Sequence, residues 1–208
     1  MFEMPKNGLY AITPDGKTAA EILEFTEAVL NGGACVVQYR DKGLNEATDL
    51  ASQLLTLCHA YHVPLIINDN VELAEKMGAD GVHLGKDDGS ILDARKCLGE
   101  SAIIGVSCYN SLELAIEAEK QGANYVAFGR FFTSNSKPLA APAEIGTLTA
   151  AKNVLTLPIV AIGGILPENG GALLNAGADL LAVIGGLAVE NPVFAAQSYG
   201  TLFSRCGN

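Results

Sequence analysis

Two cations and an amide occupy alternate positions at the end of an apolar run, residues 36–42 (VVQYRDK). If this run is a β-strand, its side chains alternate between two faces, so Gln38, Arg40 and Lys42 point the same way. Burying two cations on one face is costly unless an anion neutralises them. The spacing therefore indicates an anion-binding face, although a charged strand end that runs into a solvated turn is also consistent with it.

Carboxylates follow two later apolar runs, as Asp69 after one and Asp87 and Asp88 after the next. In proteins, Mg²⁺ takes one or two carboxylates and fills its remaining positions with water and substrate phosphate oxygens. Neighbouring strands that end in these residues would therefore form a magnesium site. As an alternative, Asp87 and Asp88 suit turn residues that cap the helix predicted to begin near Ser90.

Two further segments have the composition of phosphate sites. The longest predicted loop, residues 130–138 (RFFTSNSKP), places two hydroxyls beside a lysine, although Ser- and Asn-rich loops are also common as plain linkers. Pairs of glycines follow the last two apolar runs, at 163–164 and 185–186. Glycine lets backbone N–H groups approach an anion closely, but a pair can equally form only a tight turn.

The elements that position these residues alternate regularly between strand and helix. Apolar runs predict strands at 8–13, 35–40, 64–68, 81–85, 102–107, 125–129, 158–162 and 180–184. Helical spacing and capping residues predict helices at 18–30, 45–61, 71–77, 91–98, 111–121, 144–153, 167–175 and 193–203. In several of these units a glycine lies between the helix and the next strand, and this glycine is expected to form the helix C-cap.

This alternation predicts an α/β fold, a (β/α)₈ TIM barrel that occupies residues 1–208 as one domain. The strands are nearly continuous apolar runs, as in parallel sheets that helices cover on both sides. A doubly wound open sheet is the alternative, but no GxGxxG follows the first strand. Active sites of such barrels lie at the carboxyl ends of the strands, where the polar residues above are found.

The composition narrows the class of protein. A chain of 208 residues that is 49% apolar can bury a large core, and no apolar run is long enough to cross a bilayer. A net charge of −10 without a Lys/Arg cluster argues against nucleic acid as a partner. Five cysteines without a CxxC pair, and no signal peptide, predict a reduced, cytoplasmic location. The oligomeric state stays open, and a homo-oligomer is compatible with the sequence.

Other chemically active side chains have plainer interpretations. His83 lies inside an apolar strand, which favours a buried, hydrogen-bonded histidine over a ligand. Cys108 has no pairing partner by spacing and is interpreted as a packing residue. His59 and His62 lie on the second helix or just past it, on the wrong side for a barrel site.

Seven segments, in order, resemble the thiamine-phosphate synthase family over essentially the whole chain. They are GLYAIT at 8–13, QYRDK at 38–42, INDN at 67–70, GVHLGKDD at 81–88, IGVS at 104–107, the segment 128–137 that ends in SNSK, and VAIGGI at 160–165. This resemblance implies a (β/α)₈ barrel transferase that joins an aminopyrimidine diphosphate to a thiazole phosphate and uses Mg²⁺.

The resemblance also implies roles for individual residues. The pyrimidine diphosphate would be held by Gln38, Arg40, Lys42, Asn68 and Lys137, with Tyr39 and Asp41 in the same motif and Ser107 beside the pyrimidine. Arg40, Lys137 and Ser107 would be the catalytic residues, and Asp69 and Asp88 the metal ligands. The thiazole phosphate would be bound by Ser134, Asn135, Ser136, Gly164, Ile184 and Gly185.

Three positions depart from the family pattern. Residues 133–136 read TSNS where Pro-Thr-x-Thr is more common, so a stiffening proline is missing. Gly185 stands where serine is frequent, and Lys86 stands where glutamine is usual. Two other functions fit the same barrel: a thiazole tautomerase, which would not need the residue 38–42 motif or the two aspartates, and a non-catalytic regulatory barrel that binds phosphate.

Overall fold

The apolar runs form eight parallel strands that close into a barrel in sequence order. This is a computed structural model of the chain, and it describes residues 2–40, 47–133 and 141–205. The strands are β1 (Gly8–Ile12), β2 (Ala34–Tyr39), β3 (Leu65–Asn68), β4 (Gly81–Leu84), β5 (Ile103–Tyr109), β6 (Tyr125–Phe128), β7 (Ile159–Ile162) and β8 (Leu180–Val183). The predicted TIM barrel is confirmed.

Each strand is followed by a helix that packs on the outside of the barrel. The helices are α1 (Ala19–Asn31), α2 (Ala47–Ala60), α3 (Val71–Met77), α4 (Ile91–Leu98), α5 (Leu112–Lys120), α6 (Ile145–Val154), α7 (Pro167–Asn175) and α8 (Pro192–Arg205). All sixteen predicted elements are present in the described part of the chain, with ends within about two residues of those expected from the sequence. Among these helices, none is both long and apolar enough to span a membrane.

Alternate residues of each strand enter two separate layers of the core. On β1, Tyr10 and Ile12 lie inside the barrel, whereas Leu9 and Ala11 pack outward against the helices. Because both faces of the strands are buried, both carry apolar side chains, and this produces the continuous apolar runs in the sequence. The inner layer is completed by Val36, Ile66, Ile103, Tyr125, Ala127, Val160, Leu180 and Ala182.

Polar side chains cap the first turns of several helices. Thr18 and Glu21 form a capping box at the start of α1, and α3, α4 and α5 begin at Asn70, Ser90 and Ser111. Each of these three cap oxygens accepts a hydrogen bond from the backbone N–H of the third helical residue. Such caps satisfy donors that have no partner inside the helix.

The glycines at the ends of the helices only partly match the prediction that glycine forms the C-cap. Gly78 is the C-cap of α3 and is left-handed, with φ 61°. The caps of α5 and α7 are instead right-handed non-glycine residues, and the glycine of positive φ follows one residue later, as Gly122 and Gly177. The C-cap of α1 is Gly32, also right-handed. The prediction is therefore displaced by one residue at two helices.

At the amino ends of the strands, a side chain repeatedly closes the barrel. Asp80 precedes β4 and accepts from the N–H of Leu65, at the start of β3, at 2.8 Å. Asp179 precedes β8 and accepts from the N–H of Ile159, at the start of β7, at 2.9 Å. Asn124 precedes β6 and accepts from the N–H of Ile104, near the start of β5, at 2.8 Å. These side chains satisfy N–H groups that the strand ladder leaves open.

Candidate active site

A cavity of about 540 Å³ opens at the carboxyl ends of the strands, and all eight strands or the turns that follow them contribute to its walls. This is the end of the barrel at which the sequence predicted the site. Strands can converge in this way because they are parallel and each returns through an outer helix, so that all their carboxyl ends meet on one face.

The end of β2 places two of the predicted residues in this cavity. Gln38 and Arg40 line it and are only 3% and 5% exposed. The Arg40 guanidinium forms an ion pair with Asp15, from the turn after β1. The Arg40 backbone N–H donates to the Thr13 hydroxyl at 2.9 Å. The cation is therefore held at the cavity wall by groups from the neighbouring strand.

One residue of the same motif points elsewhere. Tyr39 is 1% exposed and belongs to the layer of core between the strands and the helices, because side chains alternate along β2. Its side chain therefore does not face the cavity, and its predicted substrate contact stays a prediction. Asp41 and Lys42 lie outside the described residues.

Two carboxylates converge at the ends of β3 and β4. Asp69 and Asp88 both line the cavity. The side-chain Oδ2 of Asp88 accepts from the N–H of Gly85 at 2.8 Å. A Cβ atom added to Gly85 would lie 2.6 Å from that oxygen and 4.0 Å from Oδ1 of Asp69. Glycine at this position therefore leaves open the space between the two carboxylates.

The backbone at Asp69 is unusual. Its φ is 62°, in the left-handed region that a residue with a Cβ rarely adopts. The backbone N–H of Asp69 donates to the carbonyl of His83 on the adjacent strand at 2.8 Å. Such a conformation persists where its surroundings impose it, and it turns the chain sharply at the cavity rim. Asn68, the preceding residue, also lines the cavity.

A line of buried hydrogen bonds crosses the cavity floor. Gln38 Nε2 donates to the Tyr10 hydroxyl at 2.9 Å, and that hydroxyl lies 2.8 Å from the hydroxyl of Tyr125. His83 lies 2.9 Å from the Tyr125 hydroxyl through Nδ1 and 2.9 Å from the Ser107 hydroxyl through Nε2. His83 is thus a buried, hydrogen-bonded histidine, as the sequence indicated. It also lines the cavity, at the strand end where the sequence placed the site.

The two glycine pairs differ in what the backbone requires of them. Gly163 and Gly164 have φ of 104° and 64°, and a Cβ on either would collide with residues 130–133. A Cβ on Gly186 would overlap the Tyr199 hydroxyl, whereas one on Gly185 would meet nothing within 4 Å. Packing and chain geometry therefore explain three of the four glycines, and only Gly185 has open space in front of it.

Gly164, Ile184 and Gly185 all line the cavity, as the sequence analysis expected. The other residues predicted to bind the thiazole phosphate are Ser134, Asn135 and Ser136, and these lie outside the described residues, together with Lys137. Their roles stay predictions from the sequence.

Sequence reasoning missed three polar residues near the cavity. Asp15 pairs with Arg40, and Arg130 lines the wall beside the glycines after β7. Tyr109, at the end of β5, has a φ of 55°, and its hydroxyl accepts from the backbone N–H of Lys86 at 3.3 Å. None has a local signal, because each lies in a turn or at a strand end whose direction depends on the packing of the strands around it.

The fold and the cavity together define a class of protein. A closed parallel barrel with a buried arginine, paired carboxylates and glycine turns at the carboxyl ends of its strands has the form of an enzyme that handles phosphorylated substrates. The TMP-TENI family model, described as thiamine monophosphate synthase, matches residues 9–187. The chain belongs to this family, and the resemblance inferred from the seven segments is confirmed.

Relatives of known name support the same assignment. Thiamine-phosphate synthase of Marinobacter nauticus is 55% identical over 188 residues, which cover 89% of this chain and 84% of the relative. That of Methylobacillus flagellatus is 49% identical over 203 residues, 96% of this chain and 97% of the relative. The solved structure of thiamine phosphate pyrophosphorylase from Pyrococcus furiosus has a TM-score of 0.86 at 31% identity, with 98% of each chain covered.

Proposed function

We propose that this chain is a transferase that joins 4-amino-2-methyl-5-(diphosphooxymethyl)pyrimidine to a thiazole phosphate. The C–O bond to the diphosphate breaks, the thiazole nitrogen bonds to the same carbon, and thiamine phosphate and diphosphate are released. The family membership supports this reaction. The observation that carries the residue assignment is the meeting of Gln38, Arg40, Asp69, Asp88 and Ser107 around one cavity.

The donor set suits Mg²⁺. Asp69 and Asp88 offer carboxylate oxygens on both sides of the space that Gly85 leaves open, and two carboxylates are the usual protein contribution to a magnesium site that also takes phosphate oxygens. In the described part of the chain, no cluster of three or more His, Cys, Asp or Glu side chains is arranged to hold a metal. When bound, Mg²⁺ would neutralise charge on the diphosphate.

The buried polar groups of β2 and β3 would bind the pyrimidine diphosphate. Asp15 pairs with the Arg40 guanidinium and Thr13 bonds the Arg40 backbone, so the cation is ordered before an anion arrives. Charge that is already oriented stabilises a departing anion without a reorganisation cost. Asn68 would add an amide contact, and Lys42 and Lys137 would add cations from segments outside the described residues.

No protein nucleophile is needed for this substitution. Loss of diphosphate from the pyrimidine carbon leaves a cation, which the thiazole nitrogen attacks directly if the two are correctly placed. Cys108, near the end of β5, is unsuited to attack, because burial raises the pKa of its thiol to about 12. Burial raises the pKa of Cys35 and Cys58 to about 12 as well.

The thiazole phosphate would lie against the turns after β7 and β8. Gly164 and Gly185 leave the backbone accessible there, and Ile184 lies between the end of β8 and the second glycine pair. Backbone N–H groups that no side chain covers are suitable donors to a phosphate. Ser134, Asn135 and Ser136 would supply further polar contacts.

We further propose that the enzyme works in the cytoplasm on small-molecule substrates, without nucleic acid or a membrane as partner. The five cysteines without a CxxC pair and the net charge of −10 support this proposal. A homo-oligomer is compatible with it, and the sedimentation of the purified protein would measure the oligomeric state.

One assay tests the proposed function. The purified chain is mixed with both substrates, with and without Mg²⁺, and thiamine phosphate and diphosphate are measured. Equal amounts of both products, formed only with Mg²⁺, are expected. A thiazole tautomerase would convert the thiazole phosphate alone, and a regulatory barrel would bind ligand without turnover. Either result would contradict the proposal.

A further inference from the structure

The hydrogen bonds on the cavity floor join side chains from five different strands into one line. In order they are Gln38 on β2, Tyr10 on β1, Tyr125 on β6, His83 on β4 and Ser107 on β5, with donor–acceptor distances of 2.8–2.9 Å. All five residues line the cavity floor; Gln38, Tyr10, Tyr125 and His83 are buried there, and Ser107 is half-buried. The line therefore crosses the cavity floor and ends at its most exposed member, the Ser107 hydroxyl.

Gln38 sets the direction of this line, because an amide nitrogen donates and does not accept. Tyr10 accepts from Gln38 and has one proton to give, which goes to the oxygen of Tyr125. Tyr125 in turn gives its proton to Nδ1 of His83. The proton of the neutral imidazole is then on Nε2, where it is donated to the oxygen of Ser107.

Proton donation in the opposite direction, from Ser107 toward Gln38, is unfavourable. The Tyr10 oxygen would then accept from both Gln38 and Tyr125, and its own proton would have no acceptor in the described part of the chain. Tyr10 is 1% exposed, so very little of its surface is open to a water molecule that could replace that acceptor. A buried donor without a partner loses its hydration free energy with no compensation.

Packing keeps the middle of the line in place. The rings of His83 and Tyr125 are stacked with centroids 5.6 Å apart, and Tyr125 meets Tyr10 edge-on at 5.8 Å. A Cβ on Gly105 would overlap the Tyr125 ring, so glycine on β5 makes room for it. Burial raises the pKa of both tyrosines well above its ordinary value, so each phenol keeps the one proton that this direction requires.

We propose that Gln38, Tyr10, Tyr125 and His83 are positioning residues that turn the proton of the Ser107 hydroxyl toward the cavity. Because the Ser107 oxygen already accepts from His83, its own O–H is the group presented to a ligand. Ser107 therefore donates a hydrogen bond to an acceptor on the substrate. Only the identity of that acceptor rests on the proposed function. For the pyrimidine substrate of the proposed reaction, the acceptor is the ring nitrogen next to the amino-bearing carbon.

The direction is tested on the ligand-free protein by long-range ¹H–¹⁵N NMR of the three histidine rings. His59→Gln and His62→Gln assign the remaining signal to His83 and serve as exposed controls. An unprotonated Nδ1 and a protonated Nε2 are expected for His83. A proton on Nδ1, on both nitrogens, or exchanging between them would overturn the proposed direction. This spectrum needs no substrate, so it decides the direction even if the proposed reaction fails.

A variant tests whether the line holds the tautomer. Tyr125→Phe keeps the ring and removes the hydroxyl, so His83 should lose its single tautomer while His59 and His62 keep their spectra. Tyr10→Phe removes the next hydroxyl of the line and should have the same effect on His83. It can be used instead of Tyr125→Phe if Tyr125→Phe does not fold. An unchanged His83 spectrum in a folded variant would show that the line does not set its tautomer.

The role of Ser107 as a hydrogen-bond donor is tested by comparing wild-type protein and Ser107→Ala, each with two substrates. In the second substrate, a C–H group replaces the ring nitrogen next to the amino-bearing carbon. Wild-type protein should prefer the natural ring in kcat/KM, and Ser107→Ala should reduce that preference by about tenfold, because it lacks the donor. The intrinsic reactivities of the two rings cancel in this ratio. If Ser107→Ala keeps the full preference, Ser107 does not donate to that nitrogen.

Discussion

The two ends of the barrel use polar side chains in opposite ways. At the amino end, Asp80, Asn124 and Asp179 accept hydrogen bonds from the backbone N–H groups of the preceding strands. At the carboxyl end, Gln38 and Ser107 line the cavity. The first group closes the strand ladder, and the second lies at the wall of an open cavity.

Cavity size does not separate the two ends. The amino end has a cavity of about 690 Å³, beside the first residues of the chain, which is larger than the one at the carboxyl end. Two of its polar walls are Lys152 and Asp179, which form an ion pair with each other at 2.5 Å. Cavity volume therefore does not identify the functional end; at the amino end, Asp179 and Asn124 are bonded to the backbone of the neighbouring strands.

The largest effect is expected from the two carboxylates at the carboxyl end. Asp69→Asn and Asp88→Asn should each lower kcat/KM by about 10²–10³-fold, because oriented charge at the diphosphate is lost. Asparagine keeps an acceptor for the Gly85 N–H, so the fold should remain. Turnover over a series of Mg²⁺ concentrations measures the effect.

The control is Glu75→Gln, which removes one negative charge at an exposed position of α3 outside the cavity and should cost much less. A near-normal rate that is indifferent to Mg²⁺ in the Asp69 or Asp88 variant would contradict the metal assignment.

Lys137→Ala should lower kcat by about 10²–10³-fold if the lysine stabilises the departing diphosphate. A solvated loop lysine would contribute well under about 1 kcal/mol. Steady-state kinetics with both substrates saturating separates the two roles, provided that chemistry limits turnover. A kcat within about threefold of the wild-type value would exclude a catalytic role for Lys137.

At the amino end, Asp179→Ala should lower the free energy of unfolding by about 1–3 kcal/mol, because the buried N–H of Ile159 loses its acceptor. Its kcat should stay within about twofold, because no ligand contact is involved. Urea denaturation followed by circular dichroism measures the change, with the exposed Glu100→Ala at the same end as control. A loss of activity without a loss of stability would break the distinction between the two ends.

The smallest effect is expected at the glycines after β7 and β8. Gly185→Val should raise the KM of the thiazole phosphate by about tenfold without changing stability, because a side chain there fills only open space. Gly164→Ala should instead destabilise the protein, since its φ of 64° is strained for alanine. If Gly185→Val changed only the KM of the pyrimidine, the two substrate subsites would have to be exchanged.

Much of this protein follows from local sequence patterns. Hydrophobic periodicity and caps such as Ser90 and Ser111 predict every strand and helix, since these signals depend on residues a few positions apart. The order of elements then allows few topologies, and parallel strands bring their carboxyl ends to one face. The motif residues Gln38 and Asp69 could therefore be assigned to the site before their geometry was known.

Contacts across the barrel were decided by the tertiary structure alone. Tyr10 and Tyr125 are 115 residues apart in sequence yet share a hydrogen bond, and each looks like an ordinary core aromatic in its own strand. Asp15 gives no local sign that it pairs with Arg40. Periodicity determines which face of a strand a residue occupies, but its partners on that face depend on how eight strands are staggered as the barrel closes. That stagger is a property of the whole sheet, and no single segment encodes it.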